Sequence, residues 1–245
     1  YPADPAVNQD ASVTNLFYGN NVIHDIAYLF GFREVNGNFQ VNNYGNGGIG
    51  NDDVRAEAMD GGGLNNANMF TPAEGSRPRM QMYLWSTASP YLDGDFDNGI
   101  VFHEYAHGIS NRLTGGPSTA GCLGNTEQMG EGWSDYFGLI LTMETGDTGP
   151  DGRGIGTFAL DQSTNGPGIR PARYSTDLSV NAYTYGDIGS LSIPHGVGFV
   201  WASMLWEMTW GLIDVYGFDQ DLYNNPNSGN AIALQLIMEG MKLQP

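Results

Sequence analysis

With 245 residues, 40% hydrophobic and 12% aromatic, the chain has enough apolar side chains for a packed core and is too rich in Tyr and Trp for a disordered acidic polypeptide. Nine basic against 27 acidic residues leave a formal charge of −18, which excludes electrostatic attraction to nucleic acid or anionic membranes. No apolar run reaches transmembrane length, none resembles a signal peptide, and the few lysines among abundant Gly, Asn, Asp, Ser and Thr suit a secreted protein. Tyr1-Pro-Ala-Asp-Pro is neither an initiator nor a targeting segment, so a removed leader or pro-segment is expected. Cys122 is the only cysteine; it is expected to be a buried thiol or to have its partner outside these residues.

Residues 12–32 are predicted helical, because Val13, Leu16, Phe17, Ile23, Ala27, Phe30 and Phe32 recur at helical spacings and Gly31 falls near the end. His24 and Asp25 lie inside it, where a hydrogen-bonded core histidine competes with a catalytic one. Residues 37–63 are rich in Gly, Asn and Asp with short apolar alternations, as in Asn38-Phe-Gln-Val-Asn, which predicts short strands joined by turns. Arg79-Met-Gln-Met-Tyr-Leu-Trp85 alternates like a strand. Residues 93–99 form an acidic turn whose carboxylates oppose the positive end of the next helix; an EF-hand reading fails because Asn98 stands where that loop needs glycine.

Ile100, Val101, Ala106, Ile109 and Leu113 predict a buried helix over 100–113, stopped by Thr114-Gly-Gly-Pro. It carries His103-Glu-Tyr-Ala-His107. Four residues apart, the two imidazoles share one face and can hold one metal ion, while Glu104 reaches a water bound to it. The bland alternative makes the histidines hydrogen-bonded core residues and Glu104 a solvated carboxylate. Residues 127–144 are predicted helical, with Glu127, Glu131 and Asp135 in an i, i+4, i+8 row; spacing alone leaves Glu127 and Glu131 as rival third ligands. A looped stretch over 146–185 follows, and Glu144, Asp147 and Asp151 form either a calcium site or a solvated acidic turn. His195 opens a helix over 196–213, a place from which a loop-borne histidine can donate to an oxyanion, and 229–241 is the last predicted helix. Strands mixed with helices come first and helices afterwards, which is an α+β order.

Together Asn38-Phe-Gln, Asn65-Asn-Ala-Asn, Arg79-Met-Gln-Met-Tyr-Leu-Trp, His103-Glu-Tyr-Ala-His-Gly, Ser110-Asn-Arg-Leu-Thr-Gly-Gly, Gly130-Glu-Gly-Trp-Ser-Asp, Tyr174-Ser-Thr-Asp and Pro194-His-Gly resemble the fungalysin-type metallopeptidases, relatives of the thermolysin-like zinc peptidases. The resemblance implies an α+β, thermolysin-like two-lobed fold. Residues 1–113 would form a mixed N-terminal lobe that includes the histidine helix, and 114–245 a mainly helical C-terminal lobe. That lobe is expected to be incomplete at its end, because family members continue past the Leu-Gln-Pro at 243–245 into a cysteine that would pair with Cys122.

The resemblance also implies a secreted, monomeric zinc endopeptidase acting on proteins or peptides, made with an inhibitory pro-segment and having no nucleic-acid or membrane partner. His103, His107 and Glu131 match its zinc ligands, Glu104 its general base, Asp135 the carboxylate behind a ligand histidine, and His195 the histidine that steadies the oxyanion. Asn66 and Ala67 match a segment that pairs with substrate backbone, and Arg170 or Arg173 is expected to contact a substrate carbonyl or a neighbouring carboxylate. Zinc aminopeptidases share the motif but carry a Gly-x-Met-Glu-Asn segment missing here, and metzincins need glycine and histidine where Ser110 and Leu113 stand. A non-catalytic, zinc-stabilised secreted binding module is the alternative from another class.

Overall fold

The computed structural model describes residues 5–125 and 129–244. Its first element, α1 (Gln9–Leu29), buries Leu16, Ile23, Ile26 and Ala27 on one side and leaves Val13 and Phe17 exposed on the other. Phe30 and Phe32 lie beyond its end yet are buried. Gly31, at φ +102°, takes the left-handed turn that lets the Phe32 amide donate back to Ala27 O at 2.9 Å.

Only one strand, β1 (Arg55–Glu57), forms within residues 37–63, fewer than the alternation there suggests. Around Asn38-Phe-Gln-Val-Asn the polar side chains hold the loop instead. Asn43 Nδ2 donates to Gly47 O at 2.9 Å, the Tyr44 amide to Asn42 Oδ1 at 2.8 Å, and Asn38 Nδ2 to Gln40 Oε1 at 2.7 Å. The first two satisfy backbone groups that a ladder would otherwise pair. The predicted strand over 79–85 is two pieces. β3 (Arg79–Met82) lies between β1, parallel to it, and β2 (Ala67–Phe70), antiparallel, in the order β1-β3-β2. β4 (Leu84–Trp85) pairs instead with β5 (Leu92–Asp93).

The acidic turn caps the next helix, α2 (Asn98–Leu113), as expected: Asp97 Oδ1 accepts from the Ile100 amide at 3.3 Å, and its Oδ2 accepts from the Ala159 amide at 3.1 Å. At the other end of α2 a fully buried Arg112 fixes the loops beside it. Its guanidinium donates to Asp52 and to Gly37 O at 2.8 and 2.9 Å, and to Pro72 O at 2.9 Å, and it lies 5.1 Å over the Phe39 ring. Asn111 Nδ2 reaches Thr71 Oγ1 at 3.2 Å, so the last turn of α2 holds the connection between β2 and β3.

α3 (Gly130–Ile140) packs against α2 and is buried along its length; it ends before the predicted 144 because Leu141 to Met143 turn away, and residues 127 and 128 of the prediction lie outside the described residues. α4 (His195–Tyr216) packs on α3, and α5 (Gly229–Lys242) on α4, while the stretch between α3 and α4 is looped as predicted. The α3–α4 approach depends on glycine. A Cβ on Gly198 would sit 2.5 Å from Glu131 Cβ, and one on Gly132 would sit 2.3 Å from Gly198 O. The strands thus all fall within 55–93 and the helical region follows, an α+β arrangement with a small sheet. Cys122 is exposed, so the buried-thiol expectation is not met.

Candidate active site

The helical period places His103 and His107 one turn apart on α2, and their Nε2 atoms converge to 3.1 Å. Glu131, in the first turn of α3, brings Oε2 to 3.4 Å from His103 Nε2 and Oε1 to 3.6 Å from His107 Nε2. Zinc–nitrogen bonds of about 2.0–2.1 Å in a tetrahedron put neighbouring ligand atoms roughly 3.3–3.4 Å apart, so these spacings fit a zinc ion held by three protein ligands. Among the described residues this is the one set of three or more such groups whose ligand atoms lie within 4.8 Å of one another.

Behind the cluster, His103 Nδ1 donates to Asp135 Oδ1 at 2.8 Å, which leaves Nε2 facing His107 and Glu131. Asp135 is fully buried and accepts three further bonds: Arg170 Nε at 2.6 Å and Arg170 Nη2 at 2.8 Å, and the Tyr174 hydroxyl. Arg170 Nη2 also donates to Glu131 Oε2 at 3.2 Å, tying the ligand carboxylate to the same guanidinium.

Burial and charge work against each other here. Burial pulls His103 down, but the Asp135 and Glu131 carboxylates outweigh it and hold it up at about 10. His107, buried beside charged His103, falls to about 4. Burial would raise Glu131, yet the His103 hydrogen bond and the surrounding positive charges bring it to about 2. Asp135 is likewise held far below the usual carboxylate range by Arg170 and His103 against its burial. Glu104 goes the other way: burial, offset in part by His103, pushes it up to about 7.

The cluster floors a cleft of about 360 Å³ whose walls include Asn66, Ala67, Trp85, Glu104, Arg170 and His195. His195, the first residue of α4, is exposed and brings Nε2 to 3.5 Å from Glu131 Oε1. Asn65 sets the approach of the Asn66 segment: it adopts φ +57°, donates its amide to Leu84 O at 2.9 Å and accepts from the Ser86 amide at 2.7 Å. Asparagine tolerates that left-handed backbone better than most residues.

Nearly all the residues singled out in the sequence therefore meet at one cleft. Arg170 meets it with its guanidinium on carboxylates, while Arg173 donates to Asn165 O at 3.3 Å. His24 lies elsewhere, half-buried beside a separate hollow of about 1000 Å³, with Nδ1 3.0 Å from Asp25 and Nε2 finding no partner among the described residues. Glu127, the rival ligand, lies outside the described residues. The acidic turn at 144–151 spends its carboxylates locally, Asp147 on Arg153 at 2.6 Å and Asp151 on Thr148 at 2.7 Å. Sequence reasoning missed Tyr174 as a donor to Asp135; its only signal was the Tyr-Ser-Thr-Asp segment.

The chain matches the family model of the fungalysin metallopeptidases over residues 2–245. It is 48% identical over 250 residues to an extracellular metalloproteinase, MEP, of Fusarium vanettenii, covering 99% of this chain and 39% of that relative. It is 46% identical to extracellular metalloproteinase 4 of Trichophyton tonsurans, over 98% of this chain and 38% of the relative. Against extracellular metalloproteinase 2 of Arthroderma benhamiae it is 44% identical, over 99% of this chain and 39% of the relative. The chain thus spans about two fifths of the length of these relatives. A match over nearly every residue, with the histidine–glutamate cluster assembled in a cleft, places the chain in the fungalysin metallopeptidase family.

Proposed function

We propose that the protein is a secreted, zinc-dependent endopeptidase. The observation that carries this is the convergence of His103, His107 and Glu131 at zinc-like spacing in a cleft that Glu104 and His195 also line. His103, His107 and Glu131 would hold the zinc ion, which would supply Lewis acidity toward a peptide carbonyl and toward water. Glu104 takes the proton of the attacking water and returns it to the leaving amine, a transfer its burial between the two histidines suits. His195, exposed at the cleft wall, donates to the carbonyl oxygen as negative charge develops there. Arg170 holds Glu131 and Asp135 and is a cleft wall against which a substrate carbonyl can also rest.

β2 is an edge strand, and Asn66 and Ala67 bring its start to the cleft. An extended substrate adds to that edge through main-chain bonds, so cleavage of varied protein sequences follows. The division into a mixed lobe over 1–113 and a helical lobe over 114–245 belongs to the same reading, with the cleft between α2 and α3 at their junction. So do a monomeric enzyme and a precursor carrying an inhibitory pro-segment. Secretion is supported by the word extracellular in the relatives' names; among the described residues no helix is long and apolar enough to cross a membrane. A purely structural zinc site is less well supported, since such sites close four positions with protein ligands.

Casein hydrolysis should disappear with a chelator and return with zinc. Glu104→Gln should retain the zinc while losing about 10²- to 10⁴-fold in turnover. Cleavage by Glu104→Gln at the parent rate would overturn the mechanism.

A further inference from the structure

We infer that Tyr174 is a positioning residue for the metal centre: its buried hydroxyl fixes the Asp135 carboxylate so that His103 presents Nε2 to the ion. This rests on the reading of His103, His107 and Glu131 as metal ligands. Tyr174 is fully buried, and its hydroxyl position is set from several directions. The backbone is pinned to Arg153 by a reciprocal pair of amide bonds at 2.9 and 2.8 Å, in an isolated antiparallel bridge within the long loop. The ring packs at 5.0 Å from Phe199, one helical turn after His195 on α4. Tyr174 therefore links the loop, the His195 helix and the carboxylate on α3.

Asp135 divides its acceptors evenly. Oδ1 serves His103 Nδ1 and Arg170 Nη2, while Oδ2 serves Arg170 Nε and the Tyr174 hydroxyl. Four donors around one buried carboxylate leave it a single orientation. Removing the hydroxyl leaves Oδ2 with Arg170 alone, so the carboxylate can turn toward the guanidinium and away from His103. The imidazole then loses the bond that sets its tautomer and ring angle, which is how partners behind a ligand histidine tune metal affinity.

Tyr174→Phe keeps the ring and its contact with Phe199. Zinc dissociation constants would be measured for the whole chain by competition with a chromophoric chelator, alongside melting temperatures in excess chelator. Tyr183→Phe is the control, because Tyr183 packs edge-on against the same Phe199 at 5.4 Å without contributing a donor to Asp135. Tyr174→Phe should weaken zinc binding about tenfold, the lower end of the usual range for such partners, with Tyr183→Phe unchanged. A role in packing alone would lower the metal-free melting temperature and leave zinc affinity where it was. Zinc affinity within twofold of the parent, or an equal loss in Tyr183→Phe, overturns the inference while leaving the metal site intact. A parent chain that binds no zinc overturns both.

Discussion

Gly198→Ala tests whether helix packing, rather than the ligands alone, sets the metal cluster. The new Cβ would stand 2.5 Å from Glu131 Cβ, 2.6 Å from the Gly132 amide nitrogen and 3.0 Å from the Glu131 carbonyl carbon. Carbon atoms in contact prefer about 3.5–4.0 Å, so α3 and α4 must part by about 1 Å at Glu131. Two of those neighbours are backbone, which no rotamer change can move aside. The cost is that of overpacking, about 1–3 kcal/mol, or a melting temperature lower by roughly 2–12 °C for a chain of this size. The functional loss should be larger. A displacement of about 1 Å in a catalytic constellation reduces activity about 10²-fold, so kcat/KM on a peptide substrate should fall by that factor and zinc should be given up more readily to a chelator. Gly211→Ala, on the same helix but with nothing within 4 Å of the new Cβ, is the internal comparison. It should stabilise by about 0.5–1 kcal/mol and leave activity alone. Parent-like zinc affinity and kcat/KM in Gly198→Ala would refute the argument that the glycine contact places Glu131.

Glu131→Gln should lose zinc by dialysis analysis while Glu127→Gln retains it; the reverse result would move the third ligand to Glu127. Arg112→Met should destabilise by about 3–5 kcal/mol in urea melts, because it leaves Asp52 buried without its cation, and a loss under about 1 kcal/mol would show that the pair is not needed. Asp95 is fully buried beside Asp93, and burial, then the hydrogen bond shared with Asp93 and its charge, push it up to about 9. Unfolding returns Asp95 to a carboxyl titrating at about 4 and releases its proton to solvent, so between about pH 4 and 9 the folded state binds more protons and stability falls as pH rises. Asp95→Asn should flatten this slope, which amounts to about 1.4 kcal/mol per pH unit for one proton, so its stability relative to the parent rises between pH 5 and 8 in denaturant midpoints; an unchanged slope would place the proton elsewhere.

The parts of the fold legible in the sequence are those governed by period. His103 and His107 are four positions apart, as are Glu131 and Asp135, so each pair spans about one helical turn and shares a helix face. The strands over 37–63 failed for the opposite reason: alternation is a statement about faces, and Asn38, Asn42 and Asn43 spend their side chains on their own loop before any partner strand can use the backbone. The strand over 79–85 has the right character but two different partners, a matter of topology that alternation cannot express.

Spacing made the site legible as far as the candidate metal-binding residues and Glu104, and the resemblance added Asp135, His195 and an arginine left open between Arg170 and Arg173. Its electrostatic frame comes from residues 35 and 39 positions beyond Asp135, in a stretch with no period at all. Arg170 is told apart from Arg173, and Tyr174 is recognised at all, only once the loop has folded back over α3, because no local pattern distinguishes an arginine aimed at two buried carboxylates from one aimed elsewhere. That frame also explains why the cluster tolerates so much burial. Glu131 and Asp135 bring two negative charges under cover, Arg170 returns one positive charge to both, and a divalent ion at the three ligand atoms adds the rest. Without an ion the same balance must be met by a proton on His103, which its two carboxylate neighbours favour. Metal loading should therefore release a proton, and calorimetry at pH 7 in buffers of different ionisation enthalpy should give different apparent heats of zinc binding. Buffer-independent heats would mean that His103 is already neutral and that Arg170 alone carries the compensation.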